Sequence, residues 1–335
     1  MPNSRPLARC AMLAAAGSLA ALPVAASELV WARYGDADSL DPHRATSTLS
    51  MQVWDQIYDT MLASDEEGKP QAHFAKAWTV SEDGLEYVFE LQDGVVCHDG
   101  TPFDANDVKF TVDRAFGENP SLTKTSWGPI ESAEVVDPLT VKITMSTPFG
   151  AFLPFLADSF SSIVCDSEAN QSAEFGSSTA VGAGPFKLAR WVKGDVIELE
   201  RNPDYRNFGK PAENEGPPHL ERLIIKTVPE PQTRLAGLRT GEIHVAEPPF
   251  DDVPAIQASG ELELVVADNT GQNVFWEAPP WSACADMAES RRATSRKPVS
   301  FGLARAGGAR GGARQEAAGG PFPPNSLLRL RVIVP

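Results

Sequence analysis

The chain has 335 residues and a formal net charge of −16, a length that permits one large or two ordinary domains. Its charge is uneven, because residues 1–276 hold 41 acidic and 20 basic residues whereas residues 277–335 hold 4 and 9. The strong negative charge of residues 1–276 argues against nucleic acid as a partner. A solvated acidic surface is the interpretation we favour, and a preference for cationic solutes is the alternative.

The N-terminus has the pattern of a cleavable export signal. Arg5 and Arg9 precede an apolar run at 11–21, and small residues follow it to Ala26. The run is too short to span a bilayer, and no later stretch approaches 18 apolar residues. We therefore predict a signal peptide over 1–26 and a periplasmic mature chain.

The sequence does not establish whether any of the four cysteines form a disulfide. Cys10 precedes the apolar run, whereas a lipid-anchored cysteine follows one, so no anchor is expected there. Cys97 and Cys165 could pair in an oxidising compartment, which leaves Cys284 over. We favour two buried free thiols at Cys97 and Cys165, because the sequence does not establish that they are close.

The first half of the chain alternates between strand and helix patterns. A strand at 28–34 leads into a polar turn, and a helix is predicted from a cap at Ser47 or Thr48 to a turn at Asp65. The remaining predicted elements are a strand at 85–91, a helix capped by Asp104 and running to about Phe116, and a hairpin around Asp137–Pro138.

The second half continues this mixture as far as residue 267. Strands are predicted at 186–191, 196–200, 220–228, 243–246 and 262–267, with helices at 233–239 and 253–258. Mixed elements of this kind indicate an α/β protein. Residues 277–335 lack periodicity apart from a Leu327–Val334 patch, so we expect a low-complexity, disordered tail.

Ordered motifs from Leu29 to Trp276 resemble the extracellular solute-binding proteins of family 5, which serve peptide and nickel ABC importers. The motifs that carry the resemblance are Ser39-Leu-Asp-Pro42, Ala75-Lys-Ala-Trp78, Ser81-Glu-Asp-Gly84, Tyr87-Val-Phe-Glu-Leu91, His98-Asp-Gly-Thr-Pro-Phe103, Gly182-Ala-Gly-Pro-Phe186, Glu200-Arg-Asn-Pro-Asp-Tyr205 and Arg234-Leu-Ala-Gly-Leu-Arg-Thr-Gly-Glu-Ile243. Cys97 stands where the family usually has an aromatic residue. The resemblance stops near Trp276, where the family would enter its second lobe, and we expect a frameshift to have replaced the remainder.

The resemblance implies a two-lobe α/β fold of the periplasmic-binding type, type II-like, with an extra inserted strand-rich domain. Residues 27–70 and 184–276 would form the first lobe, residues 71–183 the inserted domain, and the second lobe would be missing. A closing clamp needs both lobes, so we expect the printed chain to bind ligand weakly or not at all.

Catalytic, metal and cofactor motifs are not expected. No G-x-S-x-G or H-E-x-x-H occurs, and the five histidines lack metal-ligand spacing. His98 is expected to stabilise the Asp99–Gly100 turn. Gly182-Ala-Gly184 resembles half of a dinucleotide fingerprint, but Pro185 removes an N–H that a phosphate would need.

Ligand contacts are expected first in the loop after the opening strand, at Tyr34, Gly35, Asp36 and Asp38. Loops at strand ends build the clefts of α/β proteins, and the family resemblance places this backbone near a bound peptide. Asn273, Phe275 and Trp276 form the second set, with core packing the alternative for both aromatic residues.

These features predict an exported, monomeric substrate-binding component that hands short peptides, or a related small solute, to an inner-membrane ABC permease. A non-functional fragment without ligand binding is the main alternative, and a secreted hydrolase is a further one. The sequence does not identify the solute.

Overall fold

The computed structural model describes residues 27–45, 47–65, 67–117, 123–209, 214–267 and the backbone of 327–331. Its strands are β1 (Glu28–Arg33), β2 (Asp59–Thr60), β3 (Leu62–Ser64), β4 (Pro70–Ala72), β5 (Ala75–Val80), β6 (Glu86–Leu91), β7 (Ile130–Asp137), β8 (Thr140–Met145), β9 (Ser162–Ile163), β10 (Phe186–Val192), β11 (Val196–Arg201), β12 (Arg222–Thr227), β13 (Val245–Ala246), β14 (Glu263–Ala267) and β15 (Leu327–Arg331). Its α-helices are α1 (Thr48–Ile57), α2 (Ala105–Phe116), α3 (Thr123–Ser126), α4 (Phe152–Phe155), α5 (Glu168–Gln171), α6 (Pro231–Thr240) and α7 (Val253–Ser259), and two 3₁₀ helices span Ser159–Ser161 and Phe250–Asp252.

The chain divides into two compact units. Unit 1 comprises Met1–Leu29 and Asp36–Ile224, and unit 2 comprises Val30–Gly35 and Ile225–Pro335. The expected division into a first lobe and an inserted domain stays a prediction.

An antiparallel sheet in the order β5-β6-β8-β7 forms the centre of unit 1. The alternation of side chains along β6 explains why this segment forms a strand with one buried face. Tyr87, Phe89 and Leu91 are buried, whereas Glu86 and Glu90 are exposed. Phe89 pairs with Val141 of β8, and Tyr87 pairs with Ile143. The strand predicted at 85–91 and the hairpin at Asp137–Pro138 are both confirmed.

Helix α2 covers this sheet with its buried face. Its predicted cap is confirmed, because an Asp104 carboxylate oxygen accepts the Asn106 N–H at 2.7 Å and Asp107 accepts the Asp104 N–H at 2.7 Å. Val108 and Val112, which follow this cap, belong to the hydrophobic core of the sheet. A capping box therefore fixes where the helix begins.

Unit 2 is built on β1, which runs parallel to β13 with Ala32 opposite Ala246. β15 pairs antiparallel with both β13 and β14. Helix α6 ends as predicted at Gly241, whose φ of 78° is the left-handed conformation that glycine adopts without strain. Its apolar face, with Leu235 and Leu238, packs into the unit 2 core.

The predicted length of α1 is wrong. The helix begins at the predicted cap, Ser47, but ends at Ile57. Asp59 and Thr60 leave the helix because they pair with Ser162 and Ile163 in β2 and β9. Met61 and Leu62 are fully buried although they lie beyond the helix. Their apolar side chains therefore extended the helical spacing in the sequence past the true end of α1.

The preferred interpretation of two free thiols is also wrong. Cys97 and Cys165 form a disulfide, with their Cα atoms 6.3 Å apart and a sequence separation of 68. Both are buried in the unit 1 core. The turn that carries Cys97 and the segment after β9 converge only in the folded chain, so their separation in sequence concealed the pair.

Several expectations fall partly or wholly outside the described residues. The signal segment 1–26, Cys10 and Cys284 all lie there. Of the expected disordered tail, the structure describes only β15, a strand within the apolar Leu327–Val334 patch. Among the described residues, none of the helices has the length and hydropathy needed to cross a membrane.

Candidate functional site

The loop after β1 presents two residues to solvent from unit 2. The Tyr34 side chain is 50% exposed although it is large and apolar, and Gly35 beside it is half-buried. Within the described residues, no hydrogen bond involves the backbone of Tyr34 or Gly35. This short stretch can therefore offer both an aromatic surface and backbone polar groups to a ligand.

Asp36 is committed to holding another part of unit 1. Its carboxylate accepts the Trp191 indole N–H at 3.0 Å and the Gly194 backbone N–H at 2.8 Å. The Lys193 ammonium lies 4.4 Å from the centre of the Trp191 ring. Asp36 thus binds the turn between β10 and β11 within unit 1, and a ligand would have to share an occupied carboxylate.

Asp38 is bound to α1 in a similar way. Its carboxylate accepts the Ser50 hydroxyl and the Ser39 N–H, and its own N–H donates to Ser50 Oγ at 2.9 Å. The side chain is exposed, so solvent reaches the carboxylate beyond these contacts. The structure therefore gives Asp36 and Asp38 positioning contacts in unit 1 that sequence patterns did not indicate.

A charged cluster that sequence reasoning missed joins the buried Asp41 and His43 to the partly buried Arg114. The Arg114 guanidinium donates to both carboxylate oxygens of Asp41 and to Nδ1 of His43, the latter at 3.1 Å. Because Arg114 can only donate, His43 Nδ1 must be the unprotonated nitrogen, and His43 Nε2 donates to the Ser162 carbonyl at 3.0 Å. Burial lowers the pKa of His43 to about 4, against the opposing effect of the Asp41 carboxylate. The only sequence signal was Asp41 itself, within the Ser39–Pro42 motif.

His98 has a different role from the one predicted. It does not bind the Asp99–Gly100 turn, where the Asp99 carboxylate accepts the Thr101 N–H instead. Its ring accepts the Gly182 N–H on Nδ1 at 3.3 Å and donates from Nε2 to the Gly184 carbonyl at 3.0 Å. Burial lowers its pKa to about 4, which keeps the ring neutral for both bonds.

The Gly182–Gly184 segment needs glycine because it lies against the end of α1. A Cβ on Gly184 would lie 2.6 Å from the Ile57 carbonyl carbon, and one on Gly182 would lie 2.3 Å from the Ile57 carbonyl oxygen. The Gly184 carbonyl also accepts the Asn202 side-chain N–H at 3.0 Å. These glycines therefore serve close backbone packing inside unit 1, not a phosphate cradle.

One group of potential metal ligands occurs among the described residues: Cys97, Asp107 and Cys165. The two sulfur atoms are bonded to each other, so neither is a thiolate that could bind a metal. Both Asp107 oxygens accept backbone N–H groups, from Asp104 and from Asp166 at 2.7 Å. The second predicted set of ligand contacts, Asn273, Phe275 and Trp276, lies outside the described residues.

Comparison with known proteins assigns the family. Residues 69–293 match the bacterial extracellular solute-binding proteins, family 5 Middle. The chain belongs to this family. The match continues to residue 293, beyond Trp276, where the resemblance was expected to stop. Residues 277–293 lack apolar periodicity, so their relationship could not be recognised from the pattern alone.

Relatives bind several kinds of solute. The glutathione-binding protein GsiB of Salmonella paratyphi A is 33% identical over 265 residues, which are 78% of this chain and 50% of that protein. Helicobacter pylori DppA, solved with the peptide STSA, is 28% identical with a TM-score of 0.61, over 74% of this chain and 54% of that one. AgaA of A. tumefaciens R10, solved with agropinic acid, is 27% identical with a TM-score of 0.63, over 71% and 48%. The chain thus spans about half the length of the curated relatives it matches. The names of these three relatives describe binding proteins and none describes an enzyme.

Proposed function

We propose that this chain captures short peptides outside the cytoplasm and presents them to an inner-membrane ABC permease, acting as a monomer and without a cofactor. The observation that carries the proposal is the Tyr34–Gly35 stretch, which combines an exposed aromatic ring with backbone groups that bond no other described residue. A peptide backbone can pair with such groups as an added strand would. Family membership supports a solute-binding role, and the relatives that bind glutathione and the peptide STSA support a peptide ligand.

We assign the four loop residues two kinds of role. Tyr34 and Gly35 would contact the ligand directly. Asp36 and Asp38 would hold the loop in place through Trp191 and Ser50, with their carboxylates at its edge. Asn273, Phe275 and Trp276 remain proposed contacts. We also propose export through the N-terminal segment and delivery to a permease, and family membership supports both.

Calorimetric titration of the full-length chain with Ala-Ala-Ala and with glutathione tests the proposal. We expect saturable binding with a Kd on the order of 1 mM, because the described loop supplies only one side of a clamp. Tyr34→Ala should abolish the heat signal, whereas Val136→Ala, which removes an apolar side chain that is 60% exposed elsewhere, should leave it unchanged.

Two results would contradict the proposal. The first is a titration without saturation for either peptide, which would support a non-functional fragment. The second is equal binding by Tyr34→Ala and the unmodified chain, which would place the ligand elsewhere. Micromolar affinity would refute the narrower expectation that this chain binds weakly.

A further inference from the structure

The segment around Cys165 is held by two side chains of α2. The Asp166 N–H donates to Asp107 Oδ1 at 2.7 Å, and the Val164 N–H donates to Thr111 Oγ1 at 3.0 Å. The Thr111 hydroxyl donates in turn to the Val164 carbonyl at 3.1 Å. One helix therefore fixes the residues on both sides of Cys165, at sequence separations of 59 and 53.

Asp107 and Thr111 lie one helical turn apart, so their side chains share a face of α2. Both residues are buried, although a carboxylate and a hydroxyl are costly to bury without partners. The backbone groups that flank Cys165 supply those partners. The spacing of the two polar residues on the helix thus matches the spacing of the two N–H groups that they bind.

The other cysteine is held by its own turn. The Cys97 N–H donates to the Thr101 carbonyl at 2.8 Å, and the Cys97 carbonyl accepts the Gly100 N–H at 2.9 Å. Helix α2 begins at Ala105, shortly after this turn. The helix therefore connects the two cysteines, because it follows Cys97 in sequence and holds the segment of Cys165 through its side chains.

These contacts lie next to the sulfur atoms. A carboxylate oxygen of Asp107 is within 4.8 Å of the sulfurs of both Cys97 and Cys165. The sequence also contains Cys10 and Cys284, and four cysteines can pair in three ways. Which pair forms depends on the effective concentration of each thiol towards the others.

We propose that Asp107 and Thr111 are positioning residues for the disulfide, which hold the segment of Cys165 beside Cys97 before the sulfur atoms are bonded. They thereby select this pair over pairs with Cys284. The proposal does not depend on the peptide site.

The reaction that this positioning favours is exchange with a small-molecule or protein disulfide. One cysteine thiolate attacks the oxidant, forms a mixed disulfide and releases one thiolate. The thiolate of the other cysteine then attacks the protein sulfur of the mixed disulfide and releases the second. Two protein thiols are oxidised, the oxidant is reduced to two thiols, and the two cysteine protons pass to the released thiolates. The alignment by α2 acts on the second, intramolecular step.

Redox equilibration of the full-length chain with reduced and oxidised glutathione tests the proposal. The ratio of chains with and without the Cys97–Cys165 disulfide, counted by mass spectrometry after thiol alkylation, gives the effective concentration of this pair. Asp107→Asn should lower it about tenfold or more, because the amide replaces one of two acceptor oxygens and the charge is lost. Thr111→Val, which keeps the side-chain shape, should lower it about fivefold.

Two control variants separate positioning from general stability. Asp113→Asn makes the same substitution on the exposed face of α2, where Asp113 pairs with Lys109, and should leave the effective concentration unchanged. Ile143→Val trims the fully buried sheet core without altering these hydrogen bonds. It should lower the thermal midpoint but leave the effective concentration unchanged, measured where circular dichroism shows both redox forms folded. A merely structural role would make Asp107→Asn and Thr111→Val behave like Ile143→Val.

Oxidative refolding gives a second readout that does not need a folded dithiol chain. The unmodified chain, reduced, unfolded and refolded with glutathione, should form the Cys97–Cys165 disulfide as its main product in peptide mapping. Asp107→Asn and Thr111→Val should each raise the share of disulfides that contain Cys284. An unchanged effective concentration in either variant would overturn the proposal, as would an unchanged share of Cys284 disulfides. An equal fall in effective concentration for Asp113→Asn or Ile143→Val would also overturn it.

Discussion

The buried His43 makes a defined contribution to the pH dependence of stability. Its folded-state pKa is lowered to about 4 from 6.5, because the ring is fully buried and its Nδ1 must accept from Arg114. Between these two values the unfolded chain binds more protons than the folded chain. The contribution of His43 is therefore fully present above about pH 6.5 and is lost as the pH falls towards about 4.

The size of this loss follows from the two pKa values. From about pH 7 to about pH 4.5, one such histidine reduces the free energy of unfolding by roughly 2 kcal/mol. His98, whose pKa is also lowered to about 4, adds a loss of similar size. Asp107 acts in the opposite direction, because burial raises its pKa to about 6 and its protonation favours the folded chain as the pH falls.

A comparison of variants separates His43 from these other groups. Urea unfolding of the unmodified chain and of His43→Gln at about pH 7 and about pH 4.5 gives the change in free energy of unfolding for each. Glutamine keeps a donor for the Ser162 carbonyl but does not titrate. The change should be smaller by roughly 2 kcal/mol in His43→Gln than in the unmodified chain. Equal pH dependence of His43→Gln and the unmodified chain would refute the assigned protonation state and burial.

Three further predictions concern contacts within unit 1. Replacing Cys97 and Cys165 by alanine should lower the free energy of unfolding by about 4 kcal/mol, given their separation of 68 residues, and reductant should then have no further effect in urea titrations. Gly184→Ala should lower the thermal midpoint, at a cost of about 1–3 kcal/mol, because its Cβ would overlap the Ile57 backbone, whereas Gly150→Ala, with open space around its Cβ, should not. Asp36→Ala should cost about 1 kcal/mol in urea unfolding and alter tryptophan fluorescence, since the Trp191 indole N–H loses its acceptor; an unchanged spectrum would contradict that contact.

Local patterns were sufficient where a short segment determines its own structure. The cap at Asp104 could be predicted because the capping box needs only neighbouring side chains, and β6 could be predicted because one face of its strand is buried. The end of α1 could not be predicted. Asp59 and Thr60 leave the helix to pair with β9, about a hundred residues later in the chain.

The strand end that carries the proposed site could be predicted from the sequence, but the partners of its side chains could not. An exposed Tyr34 at the end of β1 agrees with a loop at a strand end. The partners of Asp36 and His98, by contrast, lie 155 and 86 residues away in sequence. Hydrogen bonds over such separations depend on the folded arrangement of several elements, and no local pattern of residue types encodes them.

The central claim, that the loop after β1 contacts a peptide, is tested most directly by nuclear magnetic resonance of the ¹⁵N-labelled full-length chain. Titration with Ala-Ala-Ala would follow the backbone amide shifts of all assigned residues. The account predicts saturable shifts centred on Tyr34, Gly35, Asp36 and Asp38, with none at the control position Val136. Shifts that leave the amides of Tyr34 and Gly35 unmoved at saturating peptide would contradict it.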